Sequence, residues 1–145
     1  MNHPAEKLRG IAEDLFEKTP VLFAYLYGSY AKGIPHPFSD LDVAVFLEEQ
    51  KLGACLELEL SLSLRIDEKL GHEVQSDLRV LNHLPLIVKG SILSEGNLIY
   101  SKDENRRIEF ETQVRKAYFD FLPVIRLHRN AYREKVFLEL ESGIR

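Results

Sequence analysis

The sequence predicts an α/β (α+β) protein, and three observations predict it. Val21-Leu22-Phe23-Ala24-Tyr25-Leu26-Tyr27 is a nearly continuous apolar run, which fits a strand covered on both faces. Leu41 to Leu47 and Glu73 to Leu81 read as further strands, the second by its alternation. Segments read as helical lie before, between and after these strands, the first by the helical spacing of its apolar residues.

Each element follows in chain order. Residues 5 to 18 are predicted helical, with Leu8, Ile11, Ala12, Leu15 and Phe16 on one stripe, and Pro20 stops the helix. After the 21–27 strand, Pro35 and Pro37 stiffen the loop Ile34-Pro35-His36-Pro37-Phe38 by fixing φ, which limits how Ser39 and Asp40 arrive at the next strand. Residues 52 to 70 carry two opposed signals. Leu56-Glu57-Leu58-Glu59-Leu60-Ser61-Leu62-Ser63-Leu64 alternates as a strand would, yet Leu and Glu favour helix and β-branched or aromatic residues are missing until Ile66. The length exceeds a usual strand and Gly71 suits a helix C′ position, so the segment is predicted to be a helix, apolar around much of its girth. Pro85 to Glu95 is a short helix ending at Gly96, and Asn97 to Tyr100 a short strand. From Asp103 the chain is helical to about Leu140, with a break or kink expected at Pro123.

Composition limits the possibilities. A chain of 145 residues is predicted to make one domain, 1–145, with a sizeable core. With 45% hydrophobic and 29% charged residues it reads as an ordinary soluble protein. A net charge of −4 argues against a general nucleic-acid binder. The single cysteine, Cys55, excludes an internal disulfide and reads as a buried small hydrophobe, and no metal-ligand spacing of Cys or His points to zinc. No segment has signal-peptide or transmembrane length, so a cytoplasmic location without membrane contact is expected.

The chemistry concentrates in one stretch. Tyr27-Gly28-Ser29-Tyr30-Ala31-Lys32-Gly33 follows the first strand, and Ser39-Asp40-Leu41-Asp42 opens the second, with ten residues between Ser29 and Asp40. Gly-Ser at a strand end offers backbone N–H groups and a hydroxyl to phosphate oxygens. Asp40 and Asp42, two apart where a strand begins, point to one face; adjacent carboxylates repel unless a cation sits between them, which reads as a Mg²⁺ clamp.

This pattern resembles the nucleotidyltransferase superfamily that includes DNA polymerase β, and more narrowly its minimal nucleotidyltransferases, the MNT proteins. Gly28, Ser29, Ala31, Lys32, Gly33, Ser39, Asp40 and Asp42 fill the places of that family's signature. Asp77 on the later strand matches its third carboxylate, and Gly96 with the short strand after it continues the likeness. One departure is Lys32, where many relatives carry Arg, leaving a less fork-like phosphate contact. The resemblance implies a small mixed β-sheet flanked by helices, with long C-terminal helices. It further implies transfer of AMP from ATP to a hydroxyl, most simply a tyrosine of a cognate HEPN ribonuclease toxin that this chain would bind and neutralise as an antitoxin. Asp40, Asp42 and Asp77 would hold two Mg²⁺ ions and serve catalysis; Gly28, Ser29, Lys32 and Ser39 would bind the nucleotide. Two alternatives stand beside it: an antitoxin that acts by binding alone, and a transferase acting on a small molecule such as an aminoglycoside. Without metal, raised carboxylate pKa values or disorder are expected.

Other residues carry blander readings. Arg65 and His72, six residues between them, loosely fit the Arg-x4-6-His spacing of HEPN ribonucleases, but that family is all-helical. His36 reads as a solvated loop histidine. Arg79 shares a strand face with Asp77 and pairs either with phosphate or with the acidic cluster. Arg106, Arg107, Glu109 and Glu111 read as a solvated helix face, and Tyr118, Phe119, Phe121, Tyr132 and Phe137 as core or interface.

Overall fold

The computed structural model describes residues 4–48 and 52–143. Helix α1, Pro4–Phe16, buries Ala5, Leu8, Ala12, Leu15 and Phe16. Thr19 then bonds both the Phe16 carbonyl and the Val21 N–H, turning the chain into β1, Val21–Tyr27. A one-turn helix α2, Ser29–Lys32, follows, where the sequence analysis assigned no element. β2 is Leu41–Leu47, α3 is Leu52–Lys69 and β3 is Ser76–Val80. A 3-10 turn, Leu81–His83, leads to α4, Leu86–Glu95, β4, Asn97–Ser101, and α5, Glu104–Gly143.

The four strands form one mixed sheet in the order β3-β2-β1-β4. β1 is antiparallel to β2 and β4, while β2 and β3 run parallel with α3 as their crossover. Both faces are covered, which is why β1 is apolar almost throughout. On one face Ala24, Leu26, Val43, Val45 and Val80 pack against Leu8 and Phe16 of α1 and Leu62 and Ile66 of α3. On the other, Phe23 and Ala44 meet Ile92 and Leu93 of α4 and Phe110 and Val114 of α5. Phe23 stacks on Phe46 with centroids 4.7 Å apart, and Phe110 leans on both.

The helix prediction for the alternating segment holds, and its geometry explains the pattern. Residues two apart on an α-helix point about 200° apart, so alternating leucines fall on two opposite sides. Cys55, Leu62 and Ile66 are buried, while Leu56, Leu60 and Leu64 are exposed. Gly71, at φ +67°, ends the helix region as expected.

Several expectations are corrected. β3 starts at Ser76 rather than Glu73, because Gly71 and His72 (φ +58°) spend the preceding residues reversing the chain and Asp67 Oδ1 accepts the Ser76 N–H at 2.9 Å. It ends at Val80, where Asn82 takes the Leu47 N–H (2.9 Å) and donates to the Leu47 carbonyl (2.8 Å). Pro123 produces no break: α5 is one 40-residue helix, since a proline removes one donor while the flanking turns keep theirs. The stretch around Arg107 is only partly a solvated face: Arg106 and Glu109 are exposed, Arg107 is half-buried and Glu111 is not solvated. Glu111 is buried, accepts a 2.7 Å bond from the Tyr25 hydroxyl and pairs with Arg107 (2.7 Å) and Arg115 (3.0 Å), tying α5 to β1. Arg106 lies over the Phe46 ring. Phe119, Phe121, Tyr132 and Phe137 are exposed, so they are not core. Cys55 is buried as expected. Among the described residues, no helix is long and apolar enough to cross a membrane.

Candidate functional site

Sheet register builds the site. Tyr27 of β1 lies opposite Asp42 of β2, and Asp42 lies beside Asp77 of β3, so one row across the sheet reads Tyr27, Asp42, Asp77. Strand alternation puts all three side chains on the face that also carries Phe46 and Tyr25 further along. Asp40 immediately precedes β2; the Leu41 N–H donates to the Gln75 carbonyl at 2.9 Å, fixing where that strand begins.

Gly28 closes the row from the β1 side. Its φ of +75° with ψ −157° is open only to glycine, and a Cβ there would lie 2.2 Å from Asp42 Oδ2. The missing side chain is therefore what lets the Asp42 carboxylate approach the backbone. Directly after it, α2 turns on the Gly28 carbonyl, which accepts from Ala31 N–H (3.1 Å) and Lys32 N–H (3.2 Å).

The electrostatics follow from this crowding. Burial, then the charges of Asp77 and Asp40, push Asp42 up to about 6, against a smaller opposing effect of Arg79. Tyr27 is pushed up to about 12, by burial first and by the Asp42 charge second. Arg79 Nη2 sits 3.6 Å from Asp77 Oδ2, the cluster pairing that the shared strand face allowed. One cation among three carboxylates leaves an excess of negative charge.

The other predicted residues are placed differently. Lys32 Nζ lies 3.1 Å from Glu95 Oε2, an exposed pair whose weak hold leaves the ammonium exchangeable. Ser39 closes the loop, its Oγ accepting the His36 N–H (2.9 Å) and its own N–H reaching the His36 carbonyl (2.9 Å). His36 Nδ1 in turn accepts the Phe38 N–H, as a loop histidine. Tyr27 and Glu95 are site neighbours that sequence reasoning missed. Tyr27 was legible, as the last residue of the strand before Gly28; Glu95 comes close only through the fold.

Among the described residues no three His, Cys, Asp or Glu side chains converge tightly enough to hold a metal ion by themselves. The donor chemistry still fits a hard cation. Mg²⁺ is held by one or two carboxylates and completes its shell with water and phosphate oxygens, so an open carboxylate row with uncompensated charge is the kind of surface it binds.

The chain matches the family "Polymerase beta, Nucleotidyltransferase" over residues 9–105. Solved structures share its fold. One is a toxin–antitoxin with AMP-PNP, at 18% identity and TM-score 0.63, the match covering 89% of this chain and 98% of that one. A second is a mutant of the toxin–antitoxin MntA–HpeT, at 17% identity, TM-score 0.63 and the same coverage. A third is the tri-AMPylated Shewanella oneidensis HEPN toxin in complex with MNT antitoxin, at 15% identity and TM-score 0.60, covering 93% of this chain and 99% of that one. No curated protein matches the sequence.

Proposed function

This chain belongs to the polymerase β nucleotidyltransferase family, and from that premise we propose that it transfers AMP from ATP to a tyrosine hydroxyl of a cognate HEPN toxin, acting as the antitoxin. The observation that carries the reading is the Tyr27–Asp42–Asp77 row, with Gly28 left bare against Asp42 and Asp40 adding a third carboxylate. A passive binder has no use for acids crowded until one is pushed up to about 6. The structural neighbours support the acceptor class: one is a toxin–antitoxin with AMP-PNP, another contains a tri-AMPylated HEPN toxin. A hetero-oligomer with such a toxin also suits α5, which from Phe119 onward exposes Phe119, Phe121, Leu127, Tyr132 and Phe137.

In this reading Gly28 and Ser29 grip the terminal phosphates, with Lys32 released from Glu95 to join them, and Ser39 holds the loop that delivers Asp40. Asp40, Asp42 and Asp77 are the groups that would hold Mg²⁺, which when bound neutralises phosphate and carboxylate charge. The acceptor oxygen forms a bond to the α-phosphorus as the bond to the bridging β-phosphate oxygen breaks; pyrophosphate leaves and Asp77 receives or relays the acceptor proton. ATP labelled at its α-phosphate should mark the acceptor, and ATP labelled at its γ-phosphate should not. Label from the γ position would make the chain a kinase and end this reading.

A further inference from the structure

We propose that the groove between α3 and the edge strand β3 docks the segment of the protein acceptor that carries the target hydroxyl, and that Leu56, Leu60 and Leu64 contact apolar side chains of that segment. This rests on the nucleotidyl-transfer reading and extends it to how the acceptor is chosen.

Three observations carry it. The first is the second apolar face of α3. The core uses Cys55, Leu62 and Ile66, whereas Leu56, Leu60 and Leu64, one turn apart, are 57%, 69% and 62% exposed. Nothing in the fold requires leucine there, and an exposed stripe of that kind marks an interaction surface.

The second is the shape of the β3 edge. Glu59 Oε2 accepts the Val80 N–H (2.8 Å), Asp67 Oδ1 accepts the Ser76 N–H (2.9 Å), and the Ser63 hydroxyl bonds Ser76. Side chains from one line of α3 thus occupy the outer edge of the strand. That line is the floor of a groove of about 570 Å³, walled by the leucines on one side and reaching Gln75 and Asp77 on the other. Because both ends of the edge are already bonded to α3 side chains, too little of it is left for a partner to add a strand, and a partner docks by side chains.

The third is direction. Attack in line requires nucleophile and leaving group on opposite sides of the α-phosphate. With the terminal phosphates at Gly28 on the β1 side and the α-phosphate over Asp42, the acceptor hydroxyl must arrive from the β3 side, over Asp77. The groove borders that residue at the sheet edge, so a segment lying in it rounds the β3 edge to reach the carboxylates, which face away from α3. Its charged lining is Glu59, Asp67 and Asp77 without a lysine or arginine, so the segment it takes is aliphatic or aromatic with basic neighbours.

The test compares wild type, Leu60→Asp and, as a control on the opposite sheet edge, Leu98→Asp, which is 42% exposed on β4. Each is assayed for AMP transfer to the cognate HEPN protein and, separately, for ATP·Mg²⁺ binding by calorimetry. Leu60→Asp is expected to raise KM for the protein roughly tenfold or more, the loss typical of one interface leucine. Its kcat at saturating acceptor and its nucleotide affinity stay at the wild-type value, and Leu98→Asp changes none of the three. Equal KM for Leu60→Asp and wild type, with transfer intact, overturns the groove and leaves the transferase reading standing. Absence of transfer by wild type overturns both. Self-association of wild type that Leu60→Asp abolishes without changing KM would assign the stripe to a second copy and likewise overturn the proposal.

Discussion

At the scale of single residues, the site turns on a contact that only glycine permits. Gly28→Ala would set a Cβ against Asp42 Oδ2 in a left-handed backbone region, so the carboxylate must move or the turn must open. The expected outcome is a loss of ATP·Mg²⁺ affinity larger than that of Ser29→Ala, ranked by calorimetry; the reverse order would remove the backbone cradle from the account. Asp42 supplies a pH signature. Its folded pKa of about 6 lies above the ordinary carboxylate value, so the folded state holds its proton more tightly than the unfolded chain. The stability this contributes is full below about pH 4 and is lost as pH rises through about 6. Without metal, Asp42→Asn should therefore stabilise the protein at pH 8 by about 1 kcal/mol, discounted for its partial exposure, and give no gain at pH 4. Thermal melts at the two pH values check it, and an equal effect at both would mean that Asp42 is not crowded.

At the scale of elements, α4 and α5 are held to the sheet by contacts far apart in sequence. Tyr25 and Glu111 are 86 residues apart, and their bond joins β1 to α5 inside the protein. Burial is the larger effect pushing the Tyr25 hydroxyl up, with the Glu111 bond adding to it, so the tyrosine stays a donor. Tyr25→Phe should cost about 1 kcal/mol, while Glu111→Ala, which leaves the buried Tyr25 hydroxyl without its acceptor and removes one of the two carboxylates that hold Arg107, should cost about 2 kcal/mol in denaturant unfolding. Gly90→Ala puts a Cβ 2.2 Å from the Tyr118 ring between α4 and α5 and should cost about 2 kcal/mol by overpacking. This also marks what the sequence could reveal. β1 and β2 have the predicted bounds because each is an apolar run with a turn signal at either end. α3 was decided by residue type and length against a misleading alternation. α2 escaped because four residues, Ser29–Lys32, are too few to show a period. The Glu111 network escaped because nothing local in Arg107, Glu111 and Arg115 tells a partner tyrosine from water.

At the scale of the whole molecule, the sheet order decides what can happen at its edge. An antiparallel β1–β2 pair puts Gly28 beside Asp42, and the parallel crossover through α3 lays Asp77 next to it, so residues from three strands meet in one row. Asp40, Asp42 and Gly28 were legible from their spacing alone. Asp77 was legible only through family likeness, since a lone acid on a strand carries no local mark. The states of Lys32, paired with Glu95, and Ser39, pinned in its loop, come from tertiary contacts that no pattern encodes. The central claim is that this row transfers AMP to a protein. The most direct test is the intact mass of the cognate HEPN protein after incubation with ATP·Mg²⁺ and either wild type or the Asp40→Ala, Asp42→Ala double variant, read beside rescue of growth. The account predicts mass added in units of AMP by wild type alone, with rescue lost in a double variant that still folds. Full rescue by the double variant, with no mass added by wild type, would contradict it.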